Sequence, residues 1–184
     1  MAKGIHTELT FERAIEASLL DFGGYTKGFS EDFDAQLGLF PKYITDFLKT
    51  SQPIAWTKLN NIHKDEVEKK VMQRLIKEID LRGVLDVIRK GFTDYGVKFQ
   101  MGYFKPESTL NPEAEAQYLS NDLSITRQLY YERLGKNSID MVLSLNGLPI
   151  ATIELKNQFS GQSVDNAKKQ YVYDREASEP IFQF

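Results

Sequence analysis

The stretch Ser138–Lys156, SIDMVLSLNGLPIATIELK, reads as two apolar β runs joined at Asn146-Gly147, the strongest short-range hairpin signal a sequence offers. Acids are depleted in strands, yet Asp140 opens the first run and Glu154 closes the second, with Lys156 two residues on. A period of two puts Glu154 and Lys156 on one face of their strand. Two carboxylates and an ammonium gathered at the ends of adjacent strands are costly unless something compensates their charge. A hard cation such as Mg2+ does so, binding through one or two carboxylates and keeping its waters for chemistry. The plainer alternative is a set of edge-strand charges placed against aggregation.

The hairpin sets a geometric condition on the metal reading. A two-residue Asn146-Gly147 turn pairs Leu145 with Leu148 and puts Asp140 opposite Ile153, so Asp140 points away from Glu154. A shared site therefore predicts a three-residue loop or a β-bulge, which sets Asp140 opposite Glu154. Roles follow from charge. Asp140 and Glu154 hold the metal, with the Leu155 carbonyl as a further ligand. The metal lowers the pKa of a bound water and neutralises charge building on a phosphate. Lys156 orients that water or stabilises the same charge. Glu12, on the first helix, is a candidate outer ligand; its alternative is a solvated helix charge.

Outward from the hairpin, Thr7 caps a helix carrying Glu12, Ile15, Leu19 and Phe22, stopped by Gly23-Gly24. Gly24 to Phe33 reads as loop. A short amphipathic helix spans Lys42 to Thr50 with Pro41 near its first turn, and Pro53 breaks the pattern before another. Lys64 to Lys90 reads as two helices interrupted at Gly83. Val97 to Phe104 and Leu123 to Arg133 read as strands, with a helix between them capped by Asn111. After the hairpin come a Gly161 turn, a polar helix over Val164–Glu176, and a strand at Ile181–Phe184 that would join in parallel through a right-handed crossover. The order gives an α/β or α+β layer arrangement with a mixed sheet, of which α/β is the class expected.

Other residues carry less. His6 and His63 lack partners at metal spacing and read as surface residues, and the N-terminal glycines make no phosphate loop. Lys168, Lys169, Gln170 and Arg175 are candidate contacts to DNA phosphates, or an ordinary solvated helix face. Tyr25, Phe29, Phe33, Tyr130 and Tyr131 read as core. At 184 residues and 41% hydrophobic, the chain can bury one good core. A net charge of -3 advertises no nucleic-acid binding, so any DNA contact must come from a local patch. The absence of cysteine excludes disulfides and thiolate metal sites. No run approaches the ~20 apolar residues of a membrane span, and a cytoplasmic location without membrane contact is expected.

These residues resemble the N-terminal nuclease region of the R (restriction) subunit of Type I restriction-modification enzymes. The likeness runs through Leu39-Phe40-Pro41, Thr50–Trp56, Arg82–Val87, Val97–Phe99, Tyr103–Pro106, Leu110–Pro112 and Thr126–Leu129. It closes with Ser138–Asp140, Ile153–Asn157 and Gln170-Tyr171. It implies a restriction-endonuclease-like core, a mixed central β-sheet flanked by helices, in a single nuclease domain over 1–184. A helical insertion of about 30–95 follows the first core helix, and the catalytic core covers about 5–22 and 96–184. Asp140, Glu154 and Lys156 match the nuclease motif and Glu12 the acidic residue of the first core helix. Gln170 matches an auxiliary position whose usual Tyr four residues later is here Asp174, with Tyr173 one step early.

The resemblance further implies a longer chain with an ATP-driven motor, absent here since no Walker motif occurs, and partnership with methyltransferase and specificity subunits. Two functions follow. One is a Mg2+-dependent endonuclease domain hydrolysing phosphodiester bonds of double-stranded DNA, delivered to DNA by the motor and so needing little affinity of its own. The alternative is a non-catalytic nuclease-like module that docks to the motor or other subunits.

Overall fold

The fold comes from a computed structural model, which describes residues 8–108, 110–132, 135, 137–156 and 164–183. Helix α1 (Glu8–Phe22) ends where its glycines begin: the Gly23 and Tyr25 N–H groups donate back to the Leu19 carbonyl at 2.9 and 3.2 Å. Thr7, His6 and the Gly161 turn lie outside the described residues. Strand β1 (Thr26–Lys27) follows inside the expected loop, and a 3-10 turn covers Ser30–Asp32. Then come α2 (Pro41–Ser51), α3 (Pro53–His63), α4 (Val67–Arg82) and α5 (Val84–Lys90). Proline occupies the first turn of both α2 and α3, where its missing N–H removes no helix bond. A tight hairpin, β2 (Phe92–Asp94) and β3 (Val97–Phe99), precedes α6 (Pro112–Leu119), whose Asn111 cap accepts the Ala114 N–H at 3.1 Å. Strands β4 (Leu123–Tyr130), β5 (Ser138–Leu145) and β6 (Leu148–Ile153) follow, then α7 (Val164–Lys169) and a π-helical turn, Gln170–Asp174.

The chain groups into two compact units. The first, Met1–Leu39, Leu123–Ser144 and Pro149–Gln183, is built on a four-stranded sheet in the order β1-β4-β5-β6. Strand β1 runs parallel to β4, Thr26 and Lys27 partnering Ser124 and Ile125, while the two-residue turn after Leu145 forces β5 and β6 antiparallel. The sheet is therefore mixed. Over it α1 packs Ile15, Leu19 and Leu20 against Ile125, Met141 and Leu155.

The second unit, Phe40–Asp122 with Leu145–Leu148, is helical apart from the antiparallel β2-β3 pair. Its interior is lined by Phe40, Ile44, Leu48, Leu59, Val71, Leu75 and Phe99, each fully buried. His63 is not a surface residue: its Nε2 meets Asp94 Oδ2 at 3.0 Å and its side chain is 9% exposed.

Four further expectations change. The strand expected at Val97–Phe104 ends at Phe99, because its partner is the short β2. The last strand is instead a 3-10 turn, Pro180–Phe182, since Pro180 fixes a turn-starting φ and lacks a ladder donor. No crossover strand therefore follows α7 among the described residues. The hairpin loop has two residues, with Asn146 at φ 52 and Gly147 at φ 85, so the three-residue loop is overturned by ordinary type I′ geometry. Phe29 and Tyr130, expected in the core, are 47% and 58% exposed, whereas Tyr131 is buried. No helix among the described residues is long and apolar enough to cross a membrane.

Asn146 does more than turn the chain. It is fully buried, its amide donates to the Met101 carbonyl at 3.1 Å and to Asn121 Oδ1 at 3.0 Å, and its Oδ1 accepts the Asp122 N–H at 2.7 Å. A Cβ on Gly147 would stand 2.7 Å from the Phe40 carbonyl oxygen. Asn146→Gly keeps the backbone conformation and deletes those bonds; it should cost about 2 kcal/mol in urea unfolding, as buried groups lose partners. Gly147→Ala should cost about 1 kcal/mol or more through its positive φ and that clash. An Asn146→Gly variant as stable as wild type would reduce Asn146 to a turn former.

Candidate active site

Packing of α1 over the sheet brings Glu12 down onto the strands, where it is 3% exposed, so its reading as a solvated charge is overturned. One helical turn on, Glu16 meets Arg127 Nε at 3.2 Å and Lys27 Nζ at 3.8 Å. Glu12 meets Gln128: the amide Nε2 donates to Glu12 Oε1 at 3.0 Å and more weakly to Asp140 Oδ1 at 3.4 Å. The Gln128 Oε1 accepts the Ser138 hydroxyl at 3.0 Å. Arg127 and Gln128 are consecutive in β4, and regular alternation would aim them at opposite faces. Both reach acids of α1 because Gln128 takes φ 49 inside the strand. A left-handed non-glycine residue costs about 1–3 kcal/mol and persists where its surroundings over-determine it.

Asp140 is held from its other side. Strand β6 stops at Ile153, which frees the Leu155 N–H from the ladder, and Asp140 Oδ2 accepts it at 2.7 Å. A strand-end carboxylate thus replaces a strand partner, and Asp140 meets the Glu154–Leu155 segment despite the two-residue turn.

Glu154 has other company. Lys156 Nζ lies 3.7 Å from its Oε2, as their shared parity predicts, and the Arg175 guanidinium pairs with its Oε1. Glu154 and Arg175 side chains are each 3% exposed. Arg175 also donates to the Ser138 carbonyl at 3.3 Å and stacks over the rings of Tyr131 and Phe182, 5.0 and 5.6 Å from their centroids. Burial pushes the Tyr131 phenol above its ordinary pKa, with the Arg175 charge opposing. Arg175 is therefore not on a solvated face open to DNA, unlike the exposed Lys168 and Lys169. Gln170 is half-buried, and its carbonyl accepts the Arg175 N–H at 3.0 Å, so its backbone helps seat that arginine.

Two groups result, Glu12–Gln128–Asp140 and Glu154–Lys156–Arg175, joined through the backbones of Leu155 and Ser138. Among the described residues no three acidic or imidazole side chains stand together as a ready metal cage. The first group is nevertheless short of positive charge. Glu12 Oε2 is buried with no hydrogen-bond partner among the described residues. Burial, then the Asp140 charge, raises the Glu12 pKa; the Gln128 bond and the Arg127 charge oppose this without reversing it. An all-oxygen pair of this kind fits a hard divalent cation. Glu154 does not fit one while Arg175 holds it. Gln128 falls within the Thr126–Leu129 stretch of the family resemblance, but neither charge nor spacing marked it as a site residue, and the sequence pointed Arg175 outward. A groove of about 440 Å³ between the N-terminal turn of α3 and the β2–β3 turn lies in the second unit and is lined by none of these acids.

The model of the family described as Type I restriction enzyme R protein N terminus matches residues 30–184. No curated protein and no solved structure matches the chain.

The raised Glu12 pKa has a definite consequence for stability. The folded chain holds the proton more tightly than the unfolded chain, so a charged Glu12 is destabilising above its native pKa. That penalty vanishes below the ordinary value of 4.5, where both states are protonated. In metal-free buffer Glu12→Gln should therefore be more stable than wild type at neutral pH. The gain should shrink as pH falls through the raised value, followed by thermal unfolding at several pH values; a pH-independent difference would rule out this charge as the cause.

Proposed function

The chain belongs to the family of Type I restriction enzyme R protein N-terminal domains, and from that premise we propose that it is a Mg2+-dependent endonuclease domain hydrolysing phosphodiester bonds of double-stranded DNA. The observation that carries this reading is the Glu12–Asp140 pair: two acids brought together through one amide, with a buried Glu12 oxygen that has no hydrogen-bond partner among the described residues. In this reading the sheet β1-β4-β5-β6 with α1 across it is a restriction-endonuclease-like core, and the helical second unit is an insertion into it. Double-stranded DNA is the substrate, and the methyltransferase and specificity subunits are partners of a longer R chain whose motor uses ATP.

Glu12 and Asp140 hold the metal in this reading. When bound, Mg2+ lowers the pKa of a coordinated water and offsets charge on the phosphate. Asp140 is kept in place by the Leu155 N–H. Lys156, the more exposed cation beside Glu154, at 17% of its side-chain surface, supplies positive charge for a phosphate oxygen or the attacking water. Glu154 joins as a ligand when its pair with Arg175 opens. Gln170 contributes as an auxiliary contact to DNA.

The non-catalytic docking module has one observation in its favour, the capture of Glu154 by Arg175 and Lys156. The two readings part on metal and on cutting. Mn2+ calorimetry on this chain should show binding that is lost in Asp140→Ala. DNA cleavage by the R subunit carrying Lys156→Ala should fall at least about a hundredfold, the usual cost of losing one transition-state charge contact. Cleavage at the wild-type rate by both Asp140→Ala and Lys156→Ala subunits would leave the docking module as the function.

A further inference from the structure

We propose that Gln128 is a positioning residue that sets the Glu12 and Asp140 carboxylates at a separation suited to one divalent cation; this rests on the nuclease reading of the same site. The amide uses both of its functional ends. Its two N–H groups go to Glu12 Oε1 at 3.0 Å and Asp140 Oδ1 at 3.4 Å, and its oxygen takes the Ser138 hydroxyl at 3.0 Å. Turning the amide over would face its oxygen to two carboxylates, so the network fixes one orientation.

The chemistry of an amide suits this task better than the alternatives. A lysine or arginine here would neutralise the pair and take the place of a cation, as Arg175 does at Glu154. A glutamate would add a third negative charge to a buried site. A neutral donor bridges the two acids and adds no positive charge of its own. It also leaves the acids unequal: Asp140 Oδ2 is occupied by the Leu155 N–H, whereas Glu12 Oε2 is buried without a partner among the described residues. That oxygen is the atom left for a metal. The left-handed backbone at Gln128 is the device that turns this side chain toward α1 beside Arg127. A strained conformation at a strand residue that joins two acids is the pattern expected of a positioning role.

The test is Mn2+ calorimetry on the whole chain as wild type, Gln128→Gly and Gln128→Asn, with circular dichroism to establish that each is folded at the titration temperature. Glycine accepts the left-handed backbone and removes the amide; asparagine tolerates that backbone and keeps an amide one methylene short. Mn2+ binding is expected to weaken at least tenfold in Gln128→Gly, with Gln128→Asn between it and wild type. A strap that merely ties α1 to the sheet would alter thermal stability and leave the affinity of the folded variants unchanged. Wild-type uptake matched within twofold by a folded Gln128 variant overturns the proposal and leaves the nuclease reading standing. No uptake by wild type overturns the metal-holding role of Glu12 and Asp140, and this proposal with it, a pattern distinct from the first.

Discussion

Carboxylates do not stay buried beside one another without a charge or donor to offset them, and the first unit is arranged around that constraint. It meets the constraint in two different ways. Glu154 receives full cations from Arg175 and Lys156, which stabilise it and occupy it while the pairs hold. Glu12 and Asp140 are held by the neutral Gln128 amide and, at Asp140, the Leu155 N–H, and the Arg127 charge offsets the effect of burial on Glu12 without reversing it. A cation as partner makes a settled ion pair, whereas an amide as partner adds no charge to offset the acids it joins.

The C-terminal segment takes its form from the same need. A buried guanidinium is itself expensive, and Arg175 is accepted because Glu154, the Ser138 carbonyl and the faces of Tyr131 and Phe182 surround it. The wide π-helical turn over Gln170–Asp174 ends with the Arg175 N–H on the Gln170 carbonyl, and the 3-10 turn at Pro180–Phe182 seats Phe182 edge-on to Tyr131. These departures from regular structure are what deliver an arginine and an aromatic ring to the strand ends.

Backbone irregularity has a parallel use elsewhere. Of the non-glycine residues at positive φ, Asn146 uses the conformation to turn a hairpin while its side chain knits Met101, Asn121 and Asp122 together in the second unit. Tyr95 turns the β2-β3 pair and meets His63 edge-on, in a group completed by Asp94. Gln128 lies within a strand of the four-stranded sheet, and it touches the acids.

Local signals in the sequence determined much of this. The glycine pair, helix-starting prolines, the Asn111 cap and the Asn146-Gly147 turn act over a few residues, so the C-terminal end of α1, the starts of α2, α3 and α6, and the two long hairpin strands are legible from the chain alone. Acids in an apolar β context likewise single out Asp140 and Glu154, and parity pairs Glu154 with Lys156. Elements too short to show a period were not legible: β1 and β2 exist only because a longer strand or a tight turn offers them a partner. The company each acid keeps was decided by tertiary structure alone. Whether Glu12 is solvated or buried depends on where α1 lands, and Gln128 acquires its meaning from a single backbone dihedral. Arg175 changes from a surface charge to a buried partner because the chain after α7 folds back to the strand ends. Charge and periodicity are properties of a segment, whereas burial and pairing belong to the meeting of segments distant in sequence, and only the folded chain specifies that meeting.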